Sequence, residues 1–254
     1  MKEGLRQRLI DFADRFGYTV VPNWLLDGVP LARHLRKLFQ EYKIDCVFDV
    51  GANQGQYADY LRKWIRYEGL IVSVEPVKAH VSHLRTKAKA DPLWMVFDVA
   101  LGAAPGRLPM NVMRAGDFSS FLSPDTNRWK DFAEANTVVA VEDVEVTTFD
   151  ELLSRVQKQH PVRNVYLKLD TQGFDLEVIK GMRSSEGNVR AIQSEMSVIP
   201  IYEHMPDYIT ALQMLQDRGF VLSGMFPVSH ILGMKLVEFD CVMVRLTDGS
   251  SEKV

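Results

Sequence analysis

The chain has 254 residues, of which 46% are hydrophobic and 25% are charged, and its formal net charge is −3 at pH 7. This length suits one large domain with a substantial core, and the ordinary composition excludes disordered and fibrous classes of protein. The near-balanced charge and the lack of a long basic run argue against a nucleic-acid-binding surface.

The sequence indicates neither a membrane span nor a secretion signal. No apolar run approaches the roughly 18 residues needed to cross a bilayer, and the first residues lead into an amphipathic stretch that contains acids. Cys46 and Cys241 lie in apolar runs and are expected to be small buried hydrophobic residues, with one disulfide between them as the alternative. We therefore expect a cytoplasmic protein; nothing in the sequence fixes its oligomeric state.

Residues 1–43 precede the regular part of the chain and are predicted to form an N-terminal helical cap. Amphipathic spacing predicts helices over residues 5–16 and 31–41, joined by an extended segment at 17–22.

From residue 44 to 254 the pattern is that of one α/β domain, in which strands alternate with helices around a mostly parallel sheet. Two closing apolar runs, 220–222 and 237–244, predict an antiparallel hairpin at the edge of the sheet because the loop between them cannot hold a long helix. The other predicted strands are 44–50, 70–75, 94–101, 164–170 and 189–196, and the predicted helices are 54–66, 77–90, 174–184 and 207–218.

Residues 105–148 interrupt this alternation after the third strand. They contain a helix-like piece at 127–134, where Trp129 could line a substrate groove, and a valine-rich strand at 138–146. An insertion at this point would lie above the carboxyl ends of the strands, where open α/β folds bind their ligands.

The stretch from Asp49 to Tyr57 predicts a tight glycine turn between a strand and a helix. A dinucleotide site requires the spacing G-x-G-x-x-G, whose middle glycine lets a pyrophosphate approach the backbone. Here Asn53 takes that middle position, between Gly51 and Gly55. The turn therefore suits a nucleoside without a pyrophosphate, and S-adenosylmethionine is the leading candidate, with a purely structural turn as the alternative. Asp49 could accept a hydrogen bond from the ammonium group of that ligand, and the amides that open the helix after the turn could bind its carboxylate.

Two further strand ends complete the predicted cofactor site. Glu75 ends the second strand, where an acid can bind both hydroxyls of a ribose. Asp98 and Ala100 end the third strand and could flank an adenine ring, with a plain buried strand end as the alternative.

Two acids are candidates for catalysis. Asp170 follows a buried strand directly, and Glu195 lies near the end of the next one, so both are expected beside one cleft. Paired carboxylates can act as a general base or hold a divalent cation. A metal site needs more oxygen ligands than the sequence pattern supplies, so no metal ligand is predicted and a metal requirement stays open. Asp175 suits a structural role in the first turn of a helix. His204 and His230 are weaker candidates for a base.

These motifs together resemble the FkbM family of S-adenosylmethionine-dependent O-methyltransferases, over about residues 17–246. The resemblance rests on the blocks at 48–55, 74–76, 100–102, 119–120 and 169–173. It implies a Rossmann-like class I methyltransferase fold, with a seven-stranded mostly parallel sheet whose last strand is antiparallel. It places Asp170 at the methyl-transfer cleft. Many members carry glutamate where this chain has Gln172, so hydrogen bonding to substrate is expected from this neutral amide.

The resemblance further implies methylation of a hydroxyl on a sugar, a glycolipid or a polysaccharide. The alternatives are a polyketide-type acceptor and a non-catalytic S-adenosylmethionine-binding protein; a nicotinamide oxidoreductase is disfavoured by Asn53. The expected base is Asp170, assisted by Glu195 and ahead of His230. The expected substrate contacts are Ser119, Ser120, Gln172 and Tyr202. The expected cofactor contacts are Asp49, Gly51, Asn53, Gly55, Tyr57, Glu75, Asp98, Ala100 and Asp170.

Overall fold

The computed structural model describes residues 28–125, 136–231 and 234–246, with Phe12, Ala13, Arg15, Phe16, Leu26 and Glu134 as isolated further positions. Most of the predicted helix 5–16, the extended segment 17–22, the piece 127–134 and Trp129 lie outside the described residues. Within the described part, no helix combines the length and the apolar character needed to cross a membrane.

Seven strands form the main sheet, in the order β3-β2-β1-β7-β8-β10-β9. The first five in this order pair in parallel, and β10 runs antiparallel to both of its neighbours. This arrangement confirms the predicted mostly parallel sheet with an antiparallel last strand. The strands are β1 (Cys46–Val50), β2 (Leu70–Val74), β3 (Trp94–Phe97), β7 (Val165–Leu169), β8 (Val189–Ser197), β9 (Phe220–Ile231) and β10 (Lys235–Arg245).

The strand order changes direction at β1, because β2 lies on one side of it and β7, which comes much later in the chain, lies on the other. Such a switch point opens a crevice at the carboxyl ends of the two strands. Strands β1, β2 and β7 are buried on both faces, as their nearly continuous apolar sequences require.

Helices cover both faces of the main sheet. On one face Phe149 and Leu152 pack with Phe48, and on the other Leu35 and Tyr166 belong to one cluster. The first described helix therefore covers the sheet directly, while a domain boundary near residue 43 stays a prediction. The α-helices are α1 (Val29–Glu41), α2 (Gln56–Tyr60, continued by a π-helical turn over Leu61–Ile65), α3 (Lys78–Ala88), α4 (Phe149–Gln157), α5 (Asp175–Lys180) and α6 (Tyr208–Asp217).

A second sheet of three strands, in the order β4-β6-β5, is formed by the insertion and the chain just before it. The prediction of one strand over 94–101 is wrong, since β3 ends at Phe97 and β4 (Ala100–Leu101) pairs with β6 in the second sheet. Its other strands, β5 (Gly106–Met113) and β6 (Val138–Thr147), pair with each other in antiparallel fashion.

The predicted closing hairpin is confirmed, although β9 extends nine residues beyond the short run 220–222. β9 lies at the edge of the sheet and much of it is exposed, and beyond Leu222 its small and polar residues and Pro227 interrupt the apolar run, a composition that is also typical of a loop. Cys46 and Cys241 are both buried free thiols, as expected for small hydrophobic residues.

Candidate active site

A cavity of about 600 Å³ lies at the switch point between β1 and β7. This volume is typical of sites for small molecules. The insertion contributes part of its wall through Met110, Phe121 and the segment from Gly116 to Ser119. The predicted site residues that line the cavity are Asp49, Gly51, Asn53, Tyr57, Glu75, Ala100, Ser119, Asp170, Gln172 and Glu195.

The glycine turn brings the tips of β1 and β7 into close contact. Gly51 has a φ of 80°, and a Cβ atom at this position would lie 1.9 Å from the carbonyl oxygen of Asp170. Gly55 also has positive φ, but it packs against Leu84 and Trp94 and does not line the cavity. The amides of Gly51 and Ala52 both donate to the carbonyl oxygen of Val74, so these two amides of the turn are used within the protein. Carboxylate binding by the amides that open α2 stays a prediction.

Glu75 is a buried carboxylate held by two backbone amides. Its Oε2 accepts a hydrogen bond from Asn53 N at 2.8 Å, and its Oε1 accepts one from Val77 N at 2.8 Å. Since a carboxylate has about four acceptor positions, two remain for a ligand with neighbouring hydroxyl groups, such as a ribose. His80 Nδ1 lies 3.7 Å from Glu75 Oε1, and the interaction with this carboxylate raises the pKa of the imidazole.

Asp49 is fully buried, and neither of its carboxylate oxygens has a hydrogen-bond partner among the described residues. Lys168 Nζ lies 3.6 Å from Oδ1, which is an ion-pair distance but too long for a hydrogen bond. Burial raises the pKa of Asp49 to about 6, against the opposing effect of Lys168. A buried carboxylate without a hydrogen-bond partner in a cavity wall fits a cationic ligand group, such as the ammonium of S-adenosylmethionine.

Replacing Asp49 with asparagine should stabilise the ligand-free protein at pH 8. A carboxyl group whose pKa is higher in the fold than in the unfolded chain destabilises the fold while it is ionised, and this cost disappears as the pH falls below about 6. The variant should therefore gain up to about 3 kcal/mol in the free energy of unfolding at pH 8 and lose most of this advantage by pH 4.5. Denaturant unfolding at both pH values measures the difference.

The matched control for that experiment is Asp143→Asn, which removes an exposed acid paired with Arg107 on the second sheet. Surface ion pairs contribute little, so this variant should remain close to wild type at both pH values. A stability difference for Asp49→Asn that is the same at pH 8 and pH 4.5 would show that the ionised form of Asp49 is not the cause.

Asp170 and Glu195 line the same cavity and share a partner. Gln172 Nε2 donates to Asp170 Oδ1 at 3.0 Å and to Glu195 Oε2 at 3.2 Å. Lys168 Nζ donates to Asp170 Oδ2 at 2.8 Å. Burial opposes ionisation of Asp170, but Lys168 and Gln172 outweigh it and lower its pKa. Burial raises the pKa of Glu195 well above its usual range, and the neighbouring Asp170 raises it further.

The charged residues of the cavity wall that were not predicted as site residues include three that lie within strands. Lys168 lies two positions before Asp170 in β7, and Glu238 and Asp240 lie in β10. Burial raises the pKa of Asp240 to about 6, and it also raises that of Glu238. The sequence signal that could have identified them is a charged residue within a strand that is otherwise apolar.

Two predicted residues, Ser120 and Tyr202, lie behind the cavity wall and stabilise it. Ser120 Oγ donates to the carbonyl oxygen of Gln172 at 2.7 Å, and Tyr202 Oη donates to the carbonyl oxygen of Phe118 at 2.7 Å. Both side chains are buried, and neither lines the cavity. Together they hold the insertion against the loop that follows β7.

Two predicted residues lie away from the cavity wall. Asp98 forms an ion pair with Arg85 at 2.9 Å, with both side chains more than half exposed. His230 lies on β9 and is exposed. Asp175 is buried and accepts hydrogen bonds from Thr171 N and Ser194 Oγ, which is consistent with a structural role. Within the described residues, no group of three or more metal-binding side chains is arranged to hold a metal ion.

Comparisons with known proteins relate the chain to methyltransferases. Among solved structures it is similar to a methyltransferase FkbM from Methylobacillus flagellatus KT, with a TM-score of 0.50 and 13% identity over 78% of this chain. The aligned part is 43% of that protein, so this chain spans less than half of its length. No curated protein matches the chain significantly.

Two further structures were solved with bound S-adenosylmethionine. The magnesium protoporphyrin IX methyltransferase of Synechocystis PCC 6803 has a TM-score of 0.45 and 11% identity, over 94% of this chain and 96% of that one. Fibrillarin from Aeropyrum pernix has a TM-score of 0.44 and 12% identity, over 79% of this chain and 66% of that one. A family model described as "Methyltransferase FkbM domain" matches residues 49–222, which is more than half of the chain. The chain therefore belongs to the FkbM family of S-adenosylmethionine-dependent methyltransferases.

Proposed function

We propose that the protein transfers a methyl group from S-adenosylmethionine to a hydroxyl group of a sugar, a glycolipid or a polysaccharide. The observation that carries this proposal is Asp170, a carboxylate with a lowered pKa that lines the same cavity as Asp49 and Glu75. A sugar acceptor is supported by the many carboxylates in the wall, because carboxylate oxygens accept hydrogen bonds from hydroxyl groups. A cytoplasmic location is part of the proposal.

The cofactor, when bound, supplies an electrophilic methyl group on a sulfonium. In this proposal Glu75 accepts hydrogen bonds from the ribose hydroxyls and Asp49 from the ammonium group. The cavity wall holds the acceptor in place, and holding two reactants in a reactive geometry can contribute roughly 7–11 kcal/mol. Asp170 takes the hydroxyl proton as the new bond forms, because an alcohol is a poor nucleophile while it keeps its proton.

Replacing Glu75 with alanine should weaken the binding of S-adenosylhomocysteine by about 10- to 100-fold. Hydrogen bonds to a charged group contribute about 1.5–3 kcal/mol, and the variant also frees the amides of Asn53 and Val77. Calorimetric titration of S-adenosylhomocysteine into both proteins measures the effect. Glu145→Ala, which removes an exposed acid on β6, is the control and should bind like wild type.

The two halves of the proposal can fail separately. Absence of S-adenosylhomocysteine binding to folded wild-type protein would contradict the cofactor assignment. Binding without turnover on any sugar or glycolipid in a panel would contradict the acceptor assignment. Turnover on a polyketide-type alcohol instead would favour that alternative acceptor, and binding without any turnover would favour a non-catalytic role.

A further inference from the structure

Lys168 has an unusual position in the cavity wall. Its side chain is only 8% exposed, and among the described residues of the wall it is the only lysine or arginine. Its ammonium group also lies 5.1 Å from the centre of the Tyr57 ring, on α2. The acids of the same wall are Asp49, Glu75, Asp117, Asp170, Glu195, Glu238 and Asp240.

Lys168 interacts unequally with the two acids Asp170 and Glu195. Lys168 Nζ donates to Asp170 Oδ2 at 2.8 Å, whereas Glu195 is joined to Asp170 by the shared Gln172 amide. A cation this close favours ionisation of Asp170, and the resulting charge on Asp170 disfavours ionisation of Glu195. When two neighbouring acids lie in different surroundings, one of them holds a proton and the other is ionised and can accept one.

We propose that Lys168 is a positioning residue that decides which of these two acids holds the proton, and so keeps Asp170 as the proton acceptor of the reaction. The catalytic consequence rests on the proposed function, while the division of protons between the two acids does not. The lowered pKa of Asp170 and the raised pKa of Glu195 agree with this division.

The remaining charged groups around Lys168 come from two elements. Asp49 lies on β1 at 3.6 Å, and Glu238 and Asp240 lie on β10. Burial alone would lower the pKa of Lys168, but Asp170 and Asp49 outweigh burial and raise it, with a smaller contribution from Asp240. The ammonium therefore stays charged throughout the range in which the acids titrate.

The proton balance of the reaction follows from this division. As the bond between the acceptor oxygen and the methyl carbon forms and the bond between that carbon and sulfur breaks, the hydroxyl proton passes to the Asp170 carboxylate. Asp170 is then neutral and releases its proton to solvent before the next turnover. Glu195 keeps its own proton throughout and accepts none.

The test is a titration of Asp170 in the ligand-free protein, followed by nuclear magnetic resonance of carbon-13-labelled aspartate carboxyl groups. The Asp170 signal is assigned by its loss in Asp170→Asn. Lys168→Met should shift the protonation equilibrium of Asp170 by about tenfold or more towards the protonated form, because an opposite charge at this distance has an effect of that size. Lys168→Arg, which keeps the charge, should titrate closer to wild type.

A matched control is Lys87→Met. Lys87 also pairs with an acid, Asp59 at 2.6 Å, and lies 5.9 Å from the centre of an aromatic ring, that of Trp94, but it does not line the cavity. Its replacement should leave the Asp170 titration unchanged. An unchanged Asp170 titration in folded Lys168→Met would overturn the proposal.

A second variant keeps the proposal testable if Lys168→Met does not fold. Glu195→Gln resembles the protonated form of Glu195, so it should leave the Asp170 titration close to wild type. A large shift of the Asp170 titration in Glu195→Gln would mean that Asp170 and Glu195 share the negative charge, and the proposal would be wrong. Titration of S-adenosylhomocysteine reports separately on the proposed function, so either conclusion can fail without the other.

Discussion

Replacing Asp170 with asparagine should lower turnover on a hydroxyl acceptor by roughly 10²–10⁴-fold, the usual contribution of a general base. The amide cannot accept the hydroxyl proton, although it has nearly the same shape as the carboxylate. The binding of S-adenosylhomocysteine should change far less, because Asp49 and Glu75 remain in the cavity wall. Steady-state turnover and calorimetric titration of the same preparation measure the two effects.

The control for this variant is Asp217→Asn, which changes an exposed acid at the end of α6 whose contact is with Gln213. It should turn over like wild type. Wild-type turnover by Asp170→Asn would remove Asp170 from the role of base. A parallel loss of cofactor affinity and turnover would point to a binding role instead.

Replacing Gly51 with alanine should cost roughly 2–5 kcal/mol of stability. A non-glycine residue in the left-handed region costs about 1–3 kcal/mol, and the new Cβ atom would lie 1.9 Å from the carbonyl oxygen of Asp170. The contacting atom belongs to the backbone of the neighbouring strand end, so it can move only if β1 and β7 separate. Denaturant unfolding measures the loss, and cofactor binding should weaken with it.

Gly106→Ala is the matched control, because an added Cβ at this exposed end of β5 would meet no atom within 4 Å. It should be neutral or slightly stabilising, since alanine restricts the unfolded chain more than glycine does. A stability of Gly51→Ala within about 0.5 kcal/mol of wild type would contradict the close contact between the two strand ends.

The central strands could be predicted from the sequence because their burial on both faces leaves an almost continuous apolar run. For β1, β2 and β7 the predicted ends agree with the observed ones to within two residues. In contrast, β5 was not predicted because half-exposed strands with polar residues and a proline look like loops. Helix α4 was also missed, although Thr148, whose side chain accepts from Glu151 N, provides a start signal.

The predicted site was most complete where parallel strands end. Asp49, Glu75 and Asp170 come at such ends, and parallel pairing brings those ends to one edge of the sheet. The acids of β10 could not be found by this rule, because an antiparallel strand presents its amino-terminal part at that edge. Lys168 could have been found because it lies two residues before Asp170, and this spacing places both side chains on the same face of a strand.

The position of the second sheet has a consequence for how new specificities can arise. Its β5 and β6 pair with each other and carry the segments that close one side of the cavity, while the acids at the strand ends belong to the main sheet. A hairpin of different length or shape could therefore be exchanged between relatives without disturbing the central strands. Diversification by exchange of this one unit would change which acceptors fit while the transfer chemistry stayed the same.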